Sequence, residues 1–349
     1  MKKQLQAILF STLFISLLNS RTEAYAQGDV SQLVQAGRAD ATKLSQAYLN
    51  PLFKGLGFGM NSGWYNSAKA KNLGKFDLKI QATGAIVPGS DKSFDINSLG
   101  LTNSRPRNLN NSISPTAFGN DSRGPELVVY DDDNNEVSSF NLPSGAGIGF
   151  VPSPQVQLTV GLIKNTDVSV RFTPKVGGGD FGKIGSWGFG VKKEITSLLP
   201  GKSEKIIPVD IALAFGYNQI TYDYNIPLED QLGGNGSTDL NQRVEGKFSG
   251  FSIDAILSKK LAVFTPFIGV GYNSSKTDLG VLGNYIIDSG IAGQTATITD
   301  PVKIKQTDVS GVRANVGFGL HLAFFRLYGA YSVGEYQAVT AGIGFGIGK

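Results

Sequence analysis

The chain has 349 residues, of which 17% are charged and 41% hydrophobic, with 45 glycines and no cysteine. Soluble domains usually carry about 25% charged residues, so this charge content is low for a cytosolic enzyme. The lack of cysteine excludes disulfides, a lipid-modified cysteine and cysteine-ligated metal centres. The formal net charge of +4 is too small to indicate a nucleic-acid partner, and we expect none.

The N-terminus has the organisation of a secretory signal peptide. Lys2 and Lys3 precede an apolar run over residues 7–18, and residues 24–26 (Ala-Tyr-Ala) form a small-x-small cleavage site. The apolar run is too short to cross a bilayer as a helix, which needs about 20 residues. We therefore predict that residues 1–26 are a signal peptide, cleaved before Gln27 during export.

One helix is predicted directly after the cleavage site. Asp29 is a suitable N-cap, and apolar residues recur at helical spacing as far as Leu49. The helix should end there, because Pro51 disfavours helical geometry in the residue before it. Residues 27–74 are thus predicted as a separate N-terminal helix and aromatic segment. Its aromatic residues are candidate ligand contacts: Phe53, Phe58, Trp64 and Tyr65.

From residue 75 onward the pattern changes to alternation with a period of two. Val312, Val316 and Phe318, for example, share one face of a strand, while glycines and polar residues occupy the other face. A second face of glycines and isolated charges suits the lumen of a membrane barrel. The sequence therefore predicts an all-β fold, an antiparallel transmembrane β-barrel over residues 75–349.

Connections of alternating length support this barrel. Short turns, such as residues 258–260, alternate with long polar loops, such as residues 225–241 and 277–302. Bacterial barrels have short periplasmic turns and longer external loops in the same way. About nine strands follow residue 155. Four upstream candidates raise the predicted total to an even number of about 12 to 14, and they are residues 75–87, 94–101, 127–130 and 136–151.

Several stretches in the second half of the chain resemble those of a known group of proteins. They include QVQLTVGLIKNTDV from Gln155, VSVRFTPK from Val168, GSWGFGVKKEI from Gly185, PVDIA from Pro208 and FTPFIGVGY from Phe264. These phrases resemble uncharacterised outer-membrane barrels that are similar to the long-chain fatty-acid transporters. The resemblance implies a barrel whose N-terminal segment plugs the lumen as a hatch, and the inward carriage of hydrophobic molecules.

The inward face of the predicted barrel should carry charges of both signs. Pairing across a plugged lumen is one interpretation of these charges, and a water path is the other. His321 is the only histidine, and no G-x-S-x-G motif occurs. We therefore expect no enzymatic activity, no metal site of the His/Cys type and no cofactor. The candidate lumen-lining residues are Arg171, Asp210, Asp254, Arg313 and His321.

The function predicted from these features is that of a barrel in the cell outer membrane, in contact with its lipid. It would bind small molecules, hydrophobic ones included, or let them pass passively, since the sequence has no nucleotide-binding loop. The alternative is a non-transporting structural or surface-interaction barrel whose external loops bind partners. For the four aromatic residues of the N-terminal segment, packing against the barrel wall is the alternative to ligand contact.

Overall fold

The structure is a computed structural model in which the described residues are 33–178, 182–196, 209–228, 231–233, 238–288, 294–322 and 325–347. The predicted signal peptide and the predicted helix start at Asp29 lie outside the described residues. Within the described part of the chain, no helix has the length and hydropathy needed to cross a membrane.

The described residues form seventeen β-strands. In chain order they are β1 (Phe76–Ile86), β2 (Ser93–Asp95), β3 (Ser104–Pro106), β4 (Ile113–Pro115), β5 (Glu126–Tyr130), β6 (Glu136–Asn141), β7 (Phe150–Leu162), β8 (Thr166–Gly177), β9 (Lys183–Glu194), β10 (Asp210–Asn225), β11 (Arg243–Ser258), β12 (Phe264–Leu282), β13 (Asn284–Asp288), β14 (Thr295–Thr299), β15 (Val302–Leu322), β16 (Phe325–Val333) and β17 (Gln337–Ile347).

Ten of these strands form a closed barrel, in the order β1-β17-β16-β15-β12-β11-β10-β9-β8-β7. All neighbours are antiparallel, and β1 closes the barrel because it pairs with β17 on one side and with β7 on the other. The predicted fold class, an antiparallel transmembrane barrel with an N-terminal helix, is confirmed. The nine strands predicted after residue 155 are present as β7–β12 and β15–β17.

The predicted total of 12 to 14 strands is wrong. Of the upstream candidates, only residues 75–87 enter the wall, as β1. The other candidates contribute to two small sheets, β2-β4 and β3-β5-β6, that lie between β1 and β7 in the chain. Their strands have three to six residues, whereas a membrane-crossing strand needs about 9–11. Their apolar residues pack together within this insertion.

The two faces of the wall differ as the sequence predicted. Val170, Phe172 and Val312 point outward and are 52%, 62% and 68% exposed. Their neighbours Arg171 and Arg313 point inward and are buried. In water, an outer surface covered with large apolar side chains would be strongly unfavourable, whereas lipid tails accommodate it.

The lumen is occupied by a helix. A short 3-10 turn, Leu33–Ala36, leads into helix α1, Gly37–Asn61. The predicted helix end before Pro51 is wrong, because α1 continues through this proline for a further ten residues. A proline inside a helix costs roughly 3 kcal/mol. Both sides of α1 are enclosed by the wall at this depth, and this packing maintains the helix beyond the proline.

Glycines let α1 fit inside the wall. A methyl group added at Gly55 would lie 2.6 Å from Val151 Cβ of β7, and one at Gly57 would lie 2.7 Å from Ser275 Cβ of β12. Residues two apart in a helix point in nearly opposite directions, so α1 is in close contact with two opposite sides of the barrel at Gly55 and Gly57. The wall therefore leaves no room for a side chain at these two positions of α1.

The insertion between β1 and β7 covers the first half of α1. Asp40 accepts hydrogen bonds from the backbone N–H groups of Thr102 and Asn103, at 2.8 and 2.9 Å. Leu44 packs in an apolar cluster with residues of the insertion, including Leu127. This insertion and the β12–β15 connection lie at one end of the barrel, which we call the loop end. The opposite end, with the short connections such as that between β7 and β8, we call the turn end.

Substitution Gly57→Ala tests the close fit of α1. Alanine favours an isolated helix by about 1 kcal/mol over glycine, but its methyl group would overlap Ser275 here. We expect a net loss of roughly 1–3 kcal/mol in the free energy of unfolding. The unfolding midpoint of the barrel in urea, followed by the gel mobility of unboiled samples, measures this loss.

Gly311→Ala is the matched control, because no atom lies within 4 Å of a methyl group added there. A Gly57→Ala protein as stable as the control would contradict the position of α1 inside the wall.

Candidate functional site

The C-terminal end of α1 is held by Arg171, which projects from β8 into the lumen. Its guanidinium donates to the carbonyl oxygens of Met60 and Ser62, at 2.7 and 2.9 Å. It also stacks on the ring of Trp64, 3.7 Å from the ring centroid. The last carbonyls of a helix lack intrahelical partners and carry partial negative charge. A buried cation at this position donates hydrogen bonds to them and balances that charge.

Other wall residues extend this arrangement over six consecutive carbonyl groups, from Gly59 to Trp64. We call the set the carbonyl clamp. Its donors come from β1, β7, β8, β10 and β15. Besides the bonds of Arg171, the side-chain donors and the carbonyls that accept from them are Gln155 and Gly59 (3.0 Å), Asn218 and Met60 (2.8 Å), Arg313 and Asn61 (2.8 Å), Lys79 and Gly63 (2.6 Å), and Gln157 and Trp64 (3.0 Å).

One member of the clamp is part of a buried ion pair. Arg313 Nη2 lies 2.8 Å from Asp254 Oδ2, and both side chains are 1% exposed. Asn315 donates to the same carboxylate at 3.3 Å and to the hydroxyl of Tyr65 at 2.9 Å. Asp254 and Arg313 are therefore paired and connect the wall to the end of α1 and the segment after it, whereas Arg171 at the same level is held by carbonyl groups.

All four predicted aromatic contacts are buried, and Trp64 and Tyr65 also line a cavity at the turn end of the barrel. Phe53 is 6.1 Å from Phe248 of β11, between ring centroids, and Tyr65 is 5.7 Å from Phe267 of β12 in an edge-on arrangement. Phe58 packs in a cluster of buried wall residues. The surroundings of Phe53 and Phe58 agree with the packing alternative, whereas Trp64 and Tyr65 combine packing against the wall with a place in the cavity lining.

The turn end contains a cavity of about 130 Å³ whose lining includes six Lys and Arg residues, and we call it the basic cavity. Two predicted lumen residues lie at this end: His321 lines the cavity, and Asp210 pairs with Lys69 at 3.4 Å. Burial lowers the pKa of Lys71 to about 8, although the Asp77 carboxylate raises it. Further residues that line the cavity are Lys79, Asp167, Lys192, Lys260, Arg326 and Tyr328.

The pairing between the wall strands β7 and β8 is incomplete. β7 pairs with β1 from Phe150 to Val160, but it pairs with β8 only from Gln157 to Leu162. Of the described residues, positions 150–156 of β7 have no strand partner on the β8 side. This unpaired seam lies in the half of the wall nearer the loop end.

Three prolines explain the gap. Gly161 of β7 donates to Lys75 on the β1 side, at 2.8 Å, and N–H groups alternate between the two sides of an antiparallel strand. The backbone N–H groups of the even-numbered residues in β7 therefore point toward β8. Pro152 and Pro154 have no N–H group, so they remove two donors from that edge. Because Leu158 opposes Val170, the even-numbered Pro174 removes a third donor, from β8.

An apolar groove of about 80 Å³ runs inward from this seam, and we call it the seam groove. It reaches from the outward-facing Pro152 and Pro154 to Leu56 of α1. The other residues around it are Ser153, Thr173, Val176, Ile184, Gly185, Ser186 and Ile220. Sequence reasoning missed this site, although three prolines within two adjacent predicted strands were a visible signal.

Metal ligation has no support in the described part of the chain. No group of three or more His, Asp or Glu side chains there is arranged to hold a metal ion. The polar groups of the lumen instead bind one another and the backbone of the N-terminal segment.

A closed antiparallel barrel with an apolar outer face and a polar, plugged lumen is an outer-membrane β-barrel. The chain belongs to the family described as "Family of unknown function (DUF6588)", which it matches over residues 1–347. A search of curated proteins gave no sequence match. Because the matched family has no assigned function, the resemblance to fatty-acid transporters stays a hypothesis.

Solved outer-membrane proteins are similar to this chain at low sequence identity. The outer membrane protease OmpT from Escherichia coli has a TM-score of 0.32 and 11% identity, covering 78% of this chain and 97% of that chain. The translocator domain of the autotransporter NalP from Neisseria meningitidis has a TM-score of 0.30 and 9% identity, covering 90% and 99%. At these scores, the barrel assignment rests on the strand pairing described above.

Substitution Asp254→Asn tests the buried ion pair. It leaves the Arg313 guanidinium without a compensating charge in a buried position, which costs about 3–5 kcal/mol of unfolding free energy. Urea unfolding of the purified barrel measures the difference from the unsubstituted protein.

Asp278→Asn serves as the control, since Asp278 pairs with Lys305 at the surface, with side chains 52% and 64% exposed. This change should cost no more than about 1 kcal/mol. Equal losses for the two variants would refute the role assigned to the buried pair.

Proposed function

We propose that the protein binds small apolar molecules in the seam groove and exchanges them passively with the surrounding outer membrane. The observation that carries this proposal is the unpaired seam between β7 and β8. A closed barrel normally satisfies every backbone group of its wall, because lipid offers no hydrogen-bond partners. A wall with three adjacent donors removed on one seam therefore has a route through its side.

The chemistry of the groove favours an apolar ligand. Val176, Ile184 and Ile220 contribute aliphatic side chains, and Leu56 closes the inner end. Sites for small molecules are commonly such apolar clefts with few polar groups. The groove begins in the apolar outer band, so an uncharged molecule dissolved in lipid would reach it without crossing water.

The axial route through the lumen is much less favourable. Passage along the barrel axis would require the C-terminal end of α1 to leave the carbonyl clamp. Each buried carbonyl that loses its donor costs roughly 1–3 kcal/mol, and the clamp holds six consecutive carbonyls. Exchange through the side of the wall needs none of these bonds to break.

The second candidate function is a structural or surface-interaction barrel without a ligand. The carbonyl clamp favours it, because a lumen filled by α1 needs no cargo to be stable. The insertion of residues 87–149 would then supply the interaction surface at the loop end. Ligand binding at the seam distinguishes the two candidates.

The double substitution Pro154→Val/Pro174→Val tests the proposal. It restores two N–H donors to the facing edges of β7 and β8, so the strands can pair and close the seam. We expect the affinity for the fluorescent apolar probe 1-N-phenylnaphthylamine to fall at least about fivefold, a change of roughly 1 kcal/mol in binding free energy. Fluorescence titration of the reconstituted barrel measures it.

Pro266→Val is the matched control, because Pro266 lies in β12, which pairs with β15 along its length, far along the wall order from the seam. Probe binding to this variant should equal that of the unsubstituted protein. Absence of saturable binding to the unsubstituted barrel, or equal binding to the seam and control variants, would favour the second candidate.

A further inference from the structure

The basic cavity at the turn end contains more positive than negative charge. Six of its lining residues are Lys or Arg and two are Asp. The two aspartates are already engaged: Asp167 pairs with Lys192 at 3.0 Å, and Asp77 pairs with Arg326 at 2.9 Å and with Lys71 at 3.8 Å. Lys69 pairs with Glu194 and Asp210 of the nearby wall.

Two lysines remain without a carboxylate partner. Among the described residues, neither Lys79 nor Lys260 forms an ion pair. Lys79 is 3% exposed, and its ammonium donates to the Gly63 carbonyl and lies 5.5 Å from the ring centroid of Tyr328. A buried ammonium without an anion is unfavourable, because partial charges replace its hydration only incompletely. An anion in the cavity would remove this deficit.

The uncharged lining supplies hydrogen-bond donors as well. The hydroxyls of Thr159 and Ser169 border the cavity and bond to each other at 2.8 Å, which leaves one of the two hydroxyl hydrogens to donate elsewhere. The amide of Asn66 also borders the cavity, and its nitrogen is buried without a hydrogen-bond partner among the described residues. Hydroxyl and amide donors together with ammonium groups are typical of sites for oxyanions. The volume accommodates a small ion with a few waters.

The cavity is accessible from the turn end. The side chain of Lys69 is 52% exposed, and Lys260, in the connection between β11 and β12, is exposed. A soluble ion can therefore enter from the compartment that the turns face, whereas the carbonyl clamp closes the cavity toward the loop end. Steering by the excess positive charge would favour the entry of anions.

We propose that the basic cavity is a binding site for a small soluble oxyanion of the phosphate class. The site is separate from the seam groove, since the two share no lining residue and lie on opposite sides of the carbonyl clamp. The anion balances Lys79 and Lys260 and connects the N-terminal segment to the wall below the clamp.

Intrinsic fluorescence gives a direct test, because the chain has only two tryptophans. Trp64 lines the basic cavity, whereas Trp187 lies on the outer surface and is 45% exposed. In a Trp187→Phe protein, sodium phosphate should change the Trp64 emission saturably. Sodium chloride at the same ionic strength should give no saturable change.

Two neighbouring lysines provide the matched pair of variants in this background. Lys260→Gln removes a lining cation and should weaken phosphate binding by roughly three- to tenfold. Lys259→Gln changes the adjacent exposed lysine, which does not line the cavity, and should leave binding unchanged.

The probe 1-N-phenylnaphthylamine provides the check on folding and independence. Both lysine variants should bind it like the parent protein, whether or not the seam groove proves to be its site. A phosphate response that does not saturate, that chloride reproduces, or that Lys259→Gln and Lys260→Gln alter equally would overturn the proposed anion site.

Discussion

The capture of the α1 carbonyls by the wall is the interaction on which the rest of the structure depends. A ten-stranded barrel encloses polar side chains that cannot all reach water, and α1 ends among them with unsatisfied carbonyl groups. Arg171 supplies two donors and a stacking surface for Trp64 at this point. Each partner removes the other's desolvation cost, because a buried guanidinium and buried carbonyls are both unfavourable when alone. The N-terminal segment and the wall are therefore one cooperative unit.

The clamp divides the lumen into two environments of different chemistry. Toward the loop end, α1 packs against apolar wall residues such as Phe248 and Ile220, and the seam groove opens from this region toward lipid. Toward the turn end, the chain after α1 runs between charged side chains, and the basic cavity opens toward solvent. A molecule reaching one half does not reach the other while the clamp is intact. The two proposed sites thus take different ligands from different compartments.

Much of the wall could be predicted from the sequence, but its closure and contents could not. The alternation around Val312 and Arg313 fixes which residues meet lipid, because the period of a strand is strict. The predicted strand total was wrong because short apolar strands such as β5, in which Leu127, Val128 and Val129 are all buried, pack within the insertion and not in the wall. The predicted end of α1 was wrong because Pro51 would end an isolated helix, whereas packing inside the wall maintains this helix beyond the proline. The clamp joins five strands that are distant in the chain, so no local sequence pattern predicts it. Of the features at the candidate sites, only the prolines of the seam could be recognised in the sequence.

The single-channel conductance of the unsubstituted barrel in a planar bilayer shows whether the carbonyl clamp closes the lumen. Folding of the inserted protein is verified beforehand by the mobility difference between unboiled and boiled samples. With α1 held by the wall, the lumen is closed, and the structure predicts no stable stepwise current at moderate voltage. Long-lived open steps from the correctly folded protein would contradict the account, because ions would then pass where the carbonyl clamp lies.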